Sequence, residues 1–395
     1  MRVLVLQKPR SSDPFDVWLR AASDDVEVKI VTGANTVRGR EPVEPGTSRE
    51  LLADYDGDAA TGRIHEICEE WRPDVVFADA ESDVLRAAEA RTLFGIPGMR
   101  SSAAVLYRDK VLMKQLFAGL SIEAVDYRVP SNADDLLAAC AKLGPVVLKP
   151  RDGGGSLGVH VFRTPGDARL ALAAAPALLA ELHRSRLILE PFVHGDEYHV
   201  DIVLRGGTPI LISVSKYVAP PHCYRTHNRG SIMLDPGSPE RGTLVRYGEE
   251  IVASMPAQLR PIALHLEVFK SAGGDFRAGE IACRGGGALI KDCIKHTYGV
   301  DPAWAACMLE TGLMPDDRTY LDPTGPLSGY LMETSVPLCF DLDDPPSWMP
   351  KLKIEARKPT DLLDARYRKL VIEGDSHAQI EARMRTLYAP GTWDN

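Results

Sequence analysis

Between His265 and Gly287 the sequence reads HLEVFKSAGGDFRAGEIACRGGG, a pattern that leaves the backbone few choices. Leu264, Leu266 and Val268 alternate with His265 and Glu267, the two-residue period of a strand with one buried and one wet face. Gly273-Gly274 marks a hairpin turn, because both positions can take positive φ at no steric cost. On the returning limb Ile281 and Cys283 alternate with Glu280 and Arg284. With the two glycines as the turn, Glu267 falls opposite Glu280. Facing carboxylates repel unless a cation or proton sits between them. The pair therefore reads as a hard-cation site for Mg²⁺, whose shell phosphate oxygens and water would complete. Arg284, on the Glu280 face, is placed to hold an anion beside the metal. A longer turn would slip the register and separate the acids, leaving an amphipathic hairpin whose polar face is merely wet.

The surroundings narrow the choice. Among 395 residues, 46 Lys and Arg against 55 Asp and Glu leave a net charge of −9, which argues against sequence-independent nucleic-acid binding. Seven cysteines without a CxxC pair suit reduced thiols, and no run approaches the roughly 18 apolar residues of a membrane span. The expectation is a cytoplasmic protein without a signal peptide, and with neither nucleic acid nor membrane as a partner. Residues 1–105 alternate apolar strands (Val3–Leu6, Val26–Val31, Asp74–Ala78) with helices (Phe15–Ala22, Ile64–Trp71, Glu81–Phe94), the pattern of a parallel α/β sheet. Thr32–Gly62 reads as a long loop, and no GxGxxG follows the first strand.

A helix opens at Arg108 and carries Lys110. The strand Val146–Pro150 carries Lys149 and runs straight into Gly153-Gly154-Gly155-Ser156-Leu157-Gly158. Successive backbone N–H groups there can converge on an anion. No Gly-Lys-Ser/Thr follows and Val159–Phe162 continues as a strand, so this is a flap and not a P-loop. One helix is expected over about Pro165–Leu182. A strand then ends at Glu190, with Phe192 and Val193 as walls of a flat aromatic pocket and Glu197 just past a turn. Lys216, Tyr217, His222, Tyr224, Arg225, His227 and Arg229 crowd the next loop, which reads either as a gate for an anionic substrate or as a polar crossover. Residues from about 329 to 395 suggest a small α+β cap without chemistry.

The ordered set Lys110, Lys149, glycine flap, Glu190, Glu197, Glu267, Glu280, Arg284 resembles the ATP-grasp superfamily. Within it the set is similar to L-amino acid ligases and related carboxylate–amine ligases. The resemblance covers about Arg108 to Gly287 and includes the steps of seven residues from Glu190 to Glu197, thirteen from Glu267 to Glu280 and four from Glu280 to Arg284. It implies an ATP-grasp fold of mixed α/β and α+β class: an N-terminal parallel α/β domain (1–105), a central lid with the flap (106–188) and a C-terminal catalytic domain (189–395). It implies that Lys110 and Lys149 hold ATP together with Gly154, Gly155 and Ser156. Glu190, Phe192 and Val193 would form the adenine hinge, Glu197 would take the ribose, and Glu267 and Glu280 would carry Mg²⁺ or Mn²⁺. Arg284 and Lys149 would be catalytic, with Arg284 on the substrate carboxylate or its acyl phosphate. His265, Gly286, Lys216, Tyr217 and Arg225 would lie beside the substrate.

The implied partners are an amino acid or other carboxylate donor and an amine acceptor, and a homodimer is compatible with the pattern. One departure stands out. Much of the superfamily has Asn two residues after the second metal glutamate, where this chain has Ala282. Other enzymes of the superfamily, of carboxylase or purine-pathway type, and a nucleotide-binding module without catalysis are the rival readings.

Overall fold

The computed structural model describes residues 1–37, 43–356, 366–389 and 392–393. Strands β1 (Arg2–Leu6), β2 (Glu27–Gly33), β3 (Thr47–Leu52) and β4 (Val75–Ala78) pair in parallel in the order β3-β2-β1-β4. Apolar β1, β2 and β4 are buried as their sequence requires, whereas edge strand β3 (TSRELL) is half exposed and carries no apolar run, which is why it reads as loop. Positions 38–42 of that expected loop lie outside the described residues.

The lid is an antiparallel sheet, β6-β5-β7, of β5 (Val146–Pro150), β6 (His160–Phe162) and β7 (Leu187–Pro191). The single helix expected over it is two, Pro165–Ala174 and Pro176–His183, because Pro176 lacks the N–H and clashes with the preceding turn. Thr164 and Asp167 cap the first reciprocally.

The third sheet is antiparallel and long, in the order β12-β11-β8-β9-β10-β13-β15-β14. Its members are β8 (Gly195–Arg205), β9 (Thr208–Tyr217), β10 (Arg229–Met233), β11 (Ala263–Ser271), β12 (Phe276–Ala282), β13 (Leu327–Met332), β14 (Lys351–Ala356) and β15 (Arg366–Gly374). The expected cap is thus the continuation of this sheet through β13, β15 and β14. Tyr198, Val200, Ile202 and Leu204 point to one face, where they share a core with Leu244 and Ile251 of the helix Pro239–Ser254. Tyr107, Met113 and Phe117 join the same core, so the helix Lys110–Gly119 belongs to this body and not to the lid. The lid sheet ends at Pro191 and the large sheet begins at Gly195, which puts the break a few residues later than the sequence suggests.

The β11–β12 hairpin places its acids correctly by two departures that cancel. Ser271 N–H donates to Asp275 O and Gly274 N–H to Ser271 O, so the loop is one residue longer than a two-residue turn. Glu267 nevertheless pairs with Glu280 while Val268 pairs with Ala278, because Gly279 is a bulge that restores the register. A Cβ at Gly279 would lie 2.6 Å from the Phe269 ring, so only glycine fits.

Candidate active site

The period of two that buries Tyr198 and Val200 on one side of β8 sends Glu197, His199 and Asp201 to the other. Register then sets His265 against Asp201 and Glu267 against His199 on β11, with Glu280 one strand further. This is the floor of a cleft of about 370 Å³ between the large sheet and the lid.

Two buried lysines, Lys110 and Lys149, line its wall, and a third, Lys114, backs them through Glu190. Lys149 Nζ lies 2.8 Å from Glu280 Oε1 and 2.7 Å from Glu190 Oε2. Lys110 Nζ is 3.3 Å from Glu280 Oε2 and donates to Gly153 O at 2.6 Å. Lys114 Nζ is 3.0 Å from Glu190 Oε1 and donates to the bulge carbonyl of Gly279 at 2.8 Å. Burial opposes ionisation of Glu190 and Glu280, but the adjacent lysines more than offset it and hold both carboxyls below the usual range. The Glu190 carboxylate therefore braces two of the lysines from its place in the cleft lining.

The floor is short of positive charge. Burial, and then the charge of Glu267, push the Glu197 carboxyl well above its ordinary value. Glu267 Oε1 has Tyr217 Oη at 3.5 Å and His265 Nε2 at 3.6 Å. Beneath it Asp201 takes His199 Nδ1 at 2.6 Å and His265 Nδ1 at 2.8 Å, and His199 Nε2 meets Ser231 Oγ at 2.9 Å. Burial works against a charged His265, yet Asp201 outweighs it and lifts the ring to about 9. The candidate ligand atoms of His199, Asp201 and His265 lie within 4.8 Å of one another, but they are spent on these hydrogen bonds, so the trio holds His265 in place and is not a metal cage. The opposed Glu267 and Glu280, with Glu197 beside them, are the donors that suit a hard dication.

The flap turns at Gly155, Ser156 and Gly158, all with positive φ. Its tip touches both bodies: Gly155 O accepts from Arg229 Nη2 at 2.8 Å, and Gly154 lies against the Glu81 carboxylate. Glu81, in the loop after β4, is ion-paired to Arg108 and Arg284. Arg284 thus faces the cleft with a carboxylate already beside it.

Of the residues singled out in the sequence, the structure brings Lys110, Lys149, Gly154, Gly155, Ser156, Glu190, Phe192, Val193, Glu197, Tyr217, His265, Glu267, Glu280 and Arg284 to this cleft. Three of the candidate substrate residues do not line it. Lys216 follows the opposite pleat to Tyr217 and pairs with Asp196 at 2.8 Å on the far face. Arg225 is exposed beside Tyr224. Gly286 serves as clearance, since a Cβ there would lie 2.5 Å from Asp201 Oδ1. Sequence reasoning missed Lys114, one helical turn from Lys110, and His199 and Asp201, in period two from Glu197. Those spacings were signals. Glu81, 203 residues from Arg284, gave none.

A flap-bearing lid closed over an acid-floored antiparallel sheet defines the ATP-grasp class, and residues 143–292 match the family model described as ATP-grasp domain. The chain has the ATP-grasp fold and carries a stretch that matches the ATP-grasp domain. Among named relatives, the L-arginine-specific L-amino acid ligase of Bacillus subtilis is 26% identical over 260 residues, covering 65% of this chain. A D-alanine–D-alanine ligase of Pseudomonas entomophila is 32% identical over 144 residues, 33% of the chain. The chain spans only 62% and 43% of the lengths of these two relatives. The crystal structure of an L-amino acid ligase from Bacillus licheniformis superposes with a TM-score of 0.74 at 16% identity, covering 98% of this chain and 97% of that one. An N5-carboxyaminoimidazole ribonucleotide synthetase solved as its ADP complex reaches 0.69 at 16% identity, covering 100% and 96%. At such identities the likeness concerns the fold. Among the described residues no helix is long and apolar enough to cross a membrane.

Proposed function

We propose that the protein is an ATP-dependent carboxylate–amine ligase that joins amino acids through an acyl phosphate, releasing ADP and phosphate. The observation that carries this reading is the direct opposition of Glu267 and Glu280 under Lys110 and Lys149, beneath a glycine flap. Condensing a carboxylate with an amine in water needs activation, and phosphoryl transfer is mostly positioning and charge neutralisation. Lys110 and Lys149 would hold the phosphates, and Phe192 and Val193 would pack the adenine. Glu267 and Glu280 would hold Mg²⁺ or Mn²⁺, which when bound neutralises charge on the phosphoryl oxygens, and Glu197, which the resemblance gives to the ribose, would join them because it is buried within reach of their charge. Arg284 would steady the substrate carboxylate and the acyl phosphate, with Glu81 setting the tilt of its guanidinium. The Asp201–His265 bond fixes the imidazole beside Glu267. The flap, held by Gly155 and Gly154 between the two bodies, would keep water from the acyl phosphate.

This chain would take an amino acid or other carboxylate as donor and an amine as acceptor, in keeping with relatives named as L-amino acid ligases. A pairwise amino acid screen that measures ADP release and product mass tests the reading. Amino-acid-dependent ADP release with a product of condensed mass is expected, and ATP binding without turnover across the panel would sink it. Arg284→Ala should lose ligation far more than nucleotide affinity, and a wild-type product yield would remove Arg284 from its role.

A further inference from the structure

The positive charges around the cleft are not all accounted for by the proposed chemistry. Four Lys and Arg side chains line it: Lys110, Lys149, Arg284 and Arg229. The first two are ion-paired to Glu280, and Lys149 to Glu190 as well, while Arg284 is paired to Glu81. No carboxylate among the described residues lies within ion-pair reach of Arg229. Its Nη2 donates to Gly155 O, its guanidinium lies over the Tyr224 ring at 4.7 Å, and its Nε is buried without a hydrogen-bond partner. A buried guanidinium donor left unpaired is costly, and the planar fork of Arg suits a carboxylate. The stacked ring and the flap carbonyl hold the fork in place before any ligand arrives.

Position identifies the anion. Arg229 sits on β10, three strands from β11 in the order β11-β8-β9-β10. At ~4.8 Å per strand its backbone is roughly 14 Å across the sheet from that of Glu267. The γ-phosphate belongs with the acids and lysines at the β11–β12 side, so Arg229 meets something lying beyond it on the same floor. We propose that Arg229 is a specificity residue that recognises the carboxylate of the amine-bearing substrate, so that acceptors with a free acid group are preferred. This rests on the ligase reading above.

The test separates the two half-reactions. Hydroxylamine traps the acyl phosphate of the donor as a hydroxamate without any acceptor, and ligation is then measured with an amino acid and with its carboxamide. For the wild type the carboxamide is expected to show at least a tenfold higher KM than the acid. Arg229→Gln should raise the KM of the acid at least tenfold, to the level of the carboxamide, while hydroxamate formation falls less than threefold. Arg229→Lys should recover part of the preference. An unchanged preference in Arg229→Gln would overturn the proposal with the ligase reading intact. A parallel loss of hydroxamate formation and ATP affinity would overturn it in favour of a phosphate contact. If the wild type makes no hydroxamate from any acid, the ligase reading fails and this proposal with it.

Discussion

Two sides of one cleft bury carboxylates in opposite surroundings. On the wall, Glu190 and Glu280 share three lysines and are held ionised below the ordinary range. On the floor, Glu197 has Glu267 as its acidic neighbour and is pushed above it. His265 does not make up the deficit, because Asp201 claims its charge. The wall therefore has more cations than carboxylates, and the floor more carboxylates than cations. The difference teaches that the proposed metal site and the proposed phosphate site are built on the same kind of residue, and that the count of local charges separates them.

Breaking the boundary between the two sides should have the largest effect. Glu280 belongs to both: it faces Glu267 and anchors Lys110 and Lys149. Glu280→Gln is expected to cut ADP release on the order of 10³-fold, the scale of removing one preorganised charged group from a transition-state site. Near wild-type turnover would mean that the opposed pair is not where the chemistry occurs. Next in size is Glu81→Gln, which leaves Arg284 without its acid and loosens the flap tip at Gly154. Roughly a tenfold loss of kcat/KM for the carboxylate donor should follow, about 1.4 kcal/mol, with ATP KM changing less. Equal changes in both would place Glu81 in nucleotide binding instead.

The wall can also be tested by stability alone. Lys114→Met leaves Glu190 with one lysine and the Gly279 carbonyl without its donor. Breaking a buried pair from one side costs about 3 kcal/mol, to be read as a lower midpoint in chemical denaturation. A shift near zero would mean that Lys149 alone satisfies Glu190.

The same contrast explains what the sequence disclosed. Acids on alternating strands are legible, because period two is a local rule and Glu267 opposite Glu280 follows from a hairpin. Even so, the expected turn was one residue short, and only the bulge at Gly279 made the pair come out. Lysines are legible only when they follow a strand or open a helix, as Lys149 and Lys110 do. Lys114 reads as an ordinary polar helix position until the chain folds and buries it to 3% exposure. The 216–229 segment shows the limit. Its cations look alike in sequence, yet pleat parity sends Lys216 to the far face while β10, missed as a strand, delivers Arg229 to the cleft. Glu81 depends on how two distant bodies meet, which no local pattern encodes.

The smallest effect expected is one of pH, and it isolates the floor. Glu197 has a native pKa raised by burial and by Glu267, above the roughly 4.3 of an unfolded glutamate. The native state then binds more protons than the unfolded state as pH climbs from that value through the native pKa, so the metal-free protein loses stability across this window. A dication needs the ionised form, so its affinity should rise over the same window, with release of up to about one proton per ion bound. Calorimetry of Mg²⁺ binding in buffers of different ionisation enthalpy reads that proton directly. In Glu197→Gln the release should shrink and the pH dependence of metal-free stability should flatten, while the lysine-held Glu280 keeps its charge throughout. Undiminished proton release in that variant would assign the titrating carboxyl to another residue and would make the floor no different from the wall.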